Sequence, residues 1–107
     1  MTLRIGVTQR VEVVTGYMER RDCLDQRWGD LLEAAGMYCI PLSNRPNGAS
    51  GYLDALQPNG VILSGGNNLG SLGEVSGVSD ERDSFEYEVL LWAEANKVPV
   101  LGICRGL

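Results

Sequence analysis

The sequence contains no histidine. A thiol or hydroxyl nucleophile normally relies on an imidazole as base and acid. These 107 residues therefore do not supply a complete cysteine or serine catalytic set on their own. Positive charge is also short: Lys and Arg total 9 against 14 Asp and Glu, a net charge of −5. That balance argues against a nucleic-acid partner, whose binding face is usually basic. No apolar run approaches the length that crosses a bilayer, so no membrane role is expected. Met1-Thr2-Leu3-Arg4-Ile5 leads straight into a strand pattern without a secretory leader. Cysteine is sparse: Cys23, Cys39 and Cys104 are odd in number and show no C-x-x-C spacing. That pattern argues against a disulfide framework and a zinc site, and it suits a reducing, cytoplasmic setting. The Gly-x-Gly-x-x-Gly and G-K-[ST] phosphate cradles are missing too.

What is present is enough for one small domain, with 44% apolar and 21% charged residues. No internal repeat, low-complexity tract or second domain is visible. Leu3 to Thr8 reads as a first strand, and Gln9 to Arg21 as a polar, irregular loop covering a site. Leu24, Trp28, Leu31, Leu32 and Ala35 recur at helical spacing, with Gly36 as the stop. Met37 to Leu42 is a second strand, followed by the turn-rich Ser43-Asn44-Arg45-Pro46-Asn47-Gly48. A short helix is expected over about Gly51 to Leu56, and a third strand over Gly60 to Ser64. Residues 69 to 79, rich in Gly and Ser, read as a loop. Asp83 and Glu86 fit a capping box that opens a helix to about Asn96, with Phe85, Val89, Trp92 and Ala93 on its apolar face. Val98 to Ile103 is a fourth strand, apolar throughout as if covered on both faces. Strands alternating with helices predict an α/β fold in three layers, a mostly parallel sheet with helices on both faces.

In such a sheet ligands bind outside the carboxyl ends of the strands. Gln9-Arg10, Asn44-Arg45, Gly65-Gly66-Asn67-Asn68 and Cys104-Arg105 converge there. The last of these lies in Gly102-Ile103-Cys104-Arg105-Gly106, an apolar strand turning sharply between glycines. That is the layout of a nucleophile elbow with a thiol in place of a hydroxyl. Glycine permits the tight turn. The Arg105 N–H would face a developing oxyanion, and a helix starting at the elbow would lower the thiol pKa. Cys104 is thus the candidate nucleophile. Cys23, placed in a loop, and Cys39, mid-strand, read as ordinary small residues. Trp28 and Trp92 read as core, and Arg82 and Asp83 as helix-entry residues.

Ser64-Gly65-Gly66-Asn67, Glu81-Arg82-Asp83-x-x-Glu86 and the strand ending in Gly102-Ile103-Cys104-Arg105-Gly106 together resemble the class I glutamine amidotransferases, closest to their gamma-glutamyl hydrolase-like branch. Gly6-Val7-Thr8-Gln9-Arg10 with Leu24-Asp25-Gln26-Arg27-Trp28 is further similar to amidotransferase-type proteins of surface-polysaccharide clusters, a group that includes gamma-glutamyl-CDP-amidate hydrolases. The resemblance implies a flavodoxin-like amidotransferase fold. Residues 1–107 would form the N-terminal part of a single domain, truncated at the elbow. It implies a hydrolase that cleaves a gamma-glutamyl amide through a cysteine thioester, with no cofactor or metal. The family uses a Cys-His-Glu triad. Cys104 matches the nucleophile, and the amides of Gly66 and Arg105 match the oxyanion donors. The His and Glu fall beyond the elbow, so nothing in this chain matches them, and the chain alone is expected to be inactive. Arg10, Gly65 and Asn67 are candidate substrate-binding groups. The partner would be a small gamma-glutamyl substrate, with a synthase partner or an oligomer left open. Two other readings stand beside this one. One is a ligand-binding remnant without turnover. The other is a redox or stress protein whose elbow thiol senses oxidation.

Overall fold

Residues 2–16, 18–44, 46–64 and 80–103 are described by a computed structural model. Among them, β1 (Leu3–Thr8), β4 (Met37–Leu42), β5 (Gly60–Leu63) and β6 (Val100–Gly102) form one parallel sheet in the order β4-β1-β5-β6. The helices are α1 (Arg27–Ala34), α2 (Ala49–Leu56) and α3 (Asp80–Asn96). The strand side chains divide with a period of two, as a sheet covered on both faces requires. Ile5, Val7, Met37, Cys39 and Ile62 point to one face, where they pack with Leu24, Trp28 and Leu32 beneath α1. Ile40, Leu42, Val61 and Leu63 point to the other, against Leu53 of α2 and Phe85, Val89, Trp92 and Ala93 of α3. This is the three-layer α/β fold expected from the sequence.

Local contacts lock the layers. The Trp92 indole N–H donates to Asp54 Oδ1 at 2.8 Å, tying α3 to α2. Tyr52 meets Phe85 edge-on at 6.2 Å and accepts the Ser43 amide on its hydroxyl at 2.8 Å. Gly36 follows α1 with φ +81°, a left-handed stop that glycine adopts without strain. At Gly6 a Cβ would meet the side chain of the fully buried Leu42 at 3.0 Å, so the absence of a side chain there leaves room for Leu42 on that face of the sheet.

Several expectations are corrected. The segment from Gln9 to Arg21 is no irregular loop: β2 (Arg10–Val14) and β3 (Glu19–Cys23) make an antiparallel hairpin. Val11 and Val13 alternate with Arg10 and Glu12, a strand pattern that the charge of the segment masks. Cys23 accordingly ends a strand. On α1 the buried residue is Leu32, whereas Leu31 and Ala35 are exposed, because the helix begins only at Arg27 and packs through a narrow stripe. The helix α2 starts two residues before Gly51. The helix α3 runs from Asp80, so Asp83 lies within its first turn and is not the N-cap that the expected capping box requires. Glu86 instead pairs with Arg82 at 3.0 Å, one turn away. Finally, β6 spans only Val100–Gly102, shorter than the strand expected over Val98 to Ile103, and Leu101 on it is 57% exposed.

Candidate active site at the carboxyl edge of the sheet

The carboxyl ends of β1, β4 and β5 meet in a buried polar belt. Thr8 and Ser64 end β1 and follow β5, and both are at most 2% exposed. They bind each other twice. The Ser64 amide donates to Thr8 Oγ1 at 3.0 Å, and the Ser64 hydroxyl donates to the Thr8 carbonyl at 2.6 Å. Buried polar groups demand such partners, since an unpaired one costs about 1–3 kcal/mol. The next strand along joins the same edge: the Ile103 amide donates to the Leu63 carbonyl at 2.9 Å, and Gly102 is in register with Leu63. The strands that precede residues 65–66 and residue 104 are therefore neighbours in the sheet.

Arg82 enters this belt from the first turn of α3 and is fully buried. Its Nη2 donates to the Ser64 carbonyl and, at 3.3 Å, to Ser64 Oγ. Its Nε donates to Glu86 Oε2 at 3.0 Å. A buried guanidinium requires this pairing, because an isolated buried charge is strongly unfavourable. The sequence signal was the Arg82-x-x-x-Glu86 spacing, which on a helix puts the two groups side by side. Its meaning depended on Ser64, 18 residues away.

The hairpin lies across the same edge. Asp22 accepts the Asn44 amide at 3.1 Å and its side-chain Nδ2 at 2.9 Å, and Asn44 is 97% buried, with 3% of its surface exposed. Asn44 Nδ2 also donates to the Gln9 carbonyl at 3.0 Å, while Gln9 Nε2 donates to the Leu42 carbonyl at 2.9 Å. Arg20 grips Glu81 through two bonds of 2.8 Å, joining the hairpin to the start of α3. Asp22 and Arg20, which make these tethers, stand opposite Val11 and Val13 in the register and so share one face of the hairpin. Beside the tethers an open cleft of about 680 Å³ runs between Asn44 and Asn47 on one side and Glu81, Ser84 and Glu88 of α3 on the other. Its size suits a small-molecule ligand.

Of the residues expected at the site, Arg10 opens β2 and donates to Glu12 at 2.6 Å. That hydrogen bond to Glu12 pushes its pKa up from the usual guanidinium value. Cys104, Arg105, Gly65, Gly66 and Asn67, together with Arg45, lie outside the described residues. Gln9 and Asn44 do come together as the sequence suggested. Asp22 and Arg20 were not singled out from the sequence, and Thr8, Ser64 and Arg82, although they stand in its motifs, were not assigned to this edge. Cys39 is half-buried on β4, and burial pushes its thiol pKa up. Among the described residues no group of three or more His, Cys, Asp or Glu is arranged to hold a metal ion, and no helix is long and apolar enough to cross a membrane.

Comparison with known proteins agrees with this architecture. The family model of peptidase C26 matches residues 4–107. Over 105 residues the chain is 38% identical to a gamma-glutamyl-CDP-amidate hydrolase of Campylobacter jejuni; the match covers 95% of this chain and 50% of that protein. The chain thus spans about half the length of that curated relative. With the family match running from β1 to the last residue, and strand, turn and helix in the expected order, the chain belongs to the peptidase C26 family of class I glutamine amidotransferase-like proteins.

Proposed function

We propose that the protein carrying this chain hydrolyses a gamma-glutamyl amide by acyl transfer through Cys104. The observation that carries the reading is the 38% identity to a gamma-glutamyl-CDP-amidate hydrolase across nearly the whole chain. The buried polar belt supports it, because it holds the two strand ends that lead to Gly65-Gly66 and to Cys104 side by side. In this reading the Cys104 thiolate attacks the gamma carbonyl, forming a C–S bond, and the Gly66 and Arg105 amides hold the oxyanion. Collapse breaks the C–N bond, and the amine leaves with a proton from an imidazole outside these 107 residues. Water then adds to the thioester and gives a proton to that imidazole, and the C–S bond breaks to release glutamate and restore the thiolate. The leaving half of the substrate would occupy the open cleft beside Asn44 and Glu81. Arg10, Gly65 and Asn67 would contact the substrate. We place the enzyme in the cytoplasm, with residues 1–107 as the N-terminal part of a single amidotransferase domain.

The absence of histidine favours a second reading for the 107 residues on their own: ligand binding without turnover. One experiment tests both. The protein expressed from its whole reading frame, and residues 1–107 alone, are incubated with gamma-glutamyl-CDP-amidate and with simple gamma-glutamyl amides, and glutamate is measured. The proposal expects release by the former that disappears in Cys104→Ala, and none by the latter. Release that survives Cys104→Ala, or no release from any gamma-glutamyl amide, would overturn the hydrolase reading.

A further inference from the structure

We infer that the cleft between Asn44 and α3 is a binding site for a nitrogen donor, an amino or ammonium group of the leaving half of the substrate, with Asn44 Oδ1 as an acceptor for it. The hydrolase reading supplies the identity of the ligand as a leaving half; the site itself rests on the geometry of Asn44. That residue lines the cleft and is 3% exposed. Its Nδ2 donates to Asp22 Oδ1 at 2.9 Å and to the Gln9 carbonyl at 3.0 Å. Both partners are acceptors, so turning the carboxamide round would set its oxygen against two others. The orientation is therefore fixed, with Oδ1 turned away from Asp22 and Gln9. There Oδ1 is buried without a hydrogen-bond partner, and among the described residues it is the one side-chain atom so placed. Folded proteins pair nearly all such atoms. A carboxamide oxygen only accepts, so the missing partner is a donor.

The opposite wall says which donor. Glu81, Ser84, Phe85 and Glu88 follow at helical spacing along the side of α3 that lines the cleft. Glu81 is held by Arg20. Glu88 is exposed and makes no ion pair among the described residues. An anion placed between these walls would set its own oxygens against those of Asn44 and Glu88. An amino group carries hydrogens for both kinds of acceptor, and when protonated it makes the stronger, charge-assisted bond to a carboxylate. Phe85 gives apolar surface to the carbon atoms that bear the group. Because Oδ1 is buried, a donor reaches it only as a cleft wall shifts. The hairpin holds both walls, Asn44 through Asp22 and Glu81 through Arg20. Filling the cleft therefore acts on the hairpin as well.

The test uses the protein expressed from its whole reading frame. Backbone amide resonances of Asn47, Ser84 and Glu88 are followed during titration with butylamine, an aliphatic ammonium at neutral pH, and with cytidine, which bears an exocyclic amino group. Uridine and inorganic phosphate, which have no amino group, are the controls. Saturable shifts from an amine and not from the controls are expected. Butylamine alone would assign an ammonium, and cytidine alone an aromatic amine. Glu88→Gln keeps an acceptor and removes the charge, so it should weaken butylamine about five- to tenfold and cytidine little. Asp22→Ala frees the hairpin but keeps Oδ1, whereas Asn44→Ala removes both, and the amine should bind it about tenfold more weakly than Asp22→Ala. The bound amine should also change hydrogen exchange in residues 9–24 more than in β1. Equal binding by Asp22→Ala and Asn44→Ala would overturn the inference, as would shifts from the controls that match those from the amines. No shift from either amine would leave the oxygen to an ordered water and overturn it too. If Asn44→Ala fails to fold, Glu88→Lys decides, since it changes an exposed residue and should abolish the amine shifts. Amine binding without hydrolysis of any gamma-glutamyl amide would remove the hydrolase reading and keep the site. Hydrolysis without an amine-dependent shift would do the reverse.

Discussion

Cutting the tether between Asp22 and Asn44 should free the β2–β3 hairpin from the edge it crosses, and its effect should exceed that of cutting the more conspicuous ion pair. Asp22 accepts two bonds, at 3.1 and 2.9 Å, from a residue that is 97% buried, its exposure being 3%. Hydrogen bonds to charged groups contribute about 1.5–3 kcal/mol each when shielded. Asp22 itself is exposed, so water replaces part of what is lost in Asp22→Ala, and about 2 kcal/mol for the pair is the reasonable figure. The Arg20–Glu81 pair is bidentate, but its side chains are 44% and 21% exposed. Solvent screening holds such a pair to about 0.5–1 kcal/mol. Because about 1.4 kcal/mol is a factor of ten, Asp22→Ala should speed hydrogen exchange of the hairpin amides roughly 30-fold, and Arg20→Ala only about two- to fivefold. Exchange followed by mass spectrometry on peptides covering residues 9–24, with peptides from β1 as the internal control, measures both. Val11, buried to 4% exposure beneath the hairpin, sets a floor, since its burial persists in either variant. A larger effect from Arg20→Ala than from Asp22→Ala would refute the reasoning, because exposed charge would then outweigh bonds to a buried partner.

Three other outcomes are expected. Residues 1–107 alone should release neither ammonia nor glutamate from gamma-glutamyl amides, for want of an imidazole; turnover abolished by Cys104→Ala would contradict this. In the protein carrying the whole reading frame, iodoacetamide at mildly acid pH should mark Cys104 before Cys39, whose thiol pKa is pushed up by burial and which therefore holds less thiolate at any given pH; mass spectrometry of the labelled peptides reads the order, which should narrow as the pH rises. Gly6→Ala should destabilise the fold by about 1–3 kcal/mol, since the new Cβ would meet the side chain of the fully buried Leu42 at 3.0 Å; a urea titration with an unchanged midpoint would show that Leu42 repacks at no cost.

The sheet and helices were legible because they rest on short-range patterns. Val61, Ile62 and Leu63 announce a strand by composition alone, and Phe85, Val89, Trp92 and Ala93 announce a helix face by spacing. The hairpin was hidden by a conflict between two signals. Val11 and Val13 alternate correctly, but Glu19-Arg20-Arg21-Asp22 carries charge at every position, and a fully charged strand has no apolar face to read. It is stabilised by partners on other elements, Glu81 and Asn44, and those are 61 and 22 residues away. The start of α3 was misread for a related reason. Asp83 and Glu86 satisfy a capping pattern that is local, yet Glu86 is engaged by Arg82, and Arg82 by Ser64. A tertiary bond overrode a local propensity.

The same distinction explains what could be inferred about the site. A nucleophile elbow is written in consecutive residues, because a turn between glycines is a local geometric need; the sequence therefore points to Cys104 without help from the rest of the chain. A residue that aims another residue has no such signature. Arg82 looks like any charged residue in the first turn of a helix, where acidic groups are favoured and a cation is not. That mismatch is itself informative. An arginine placed against the helix dipole and fully buried must be held by something stronger than the dipole, and the two groups that hold it are Glu86 on its own helix and Ser64 at the end of β5. That pairing reconciles the unfavourable placement with the burial, and it ties the first turn of α3 to the end of β5.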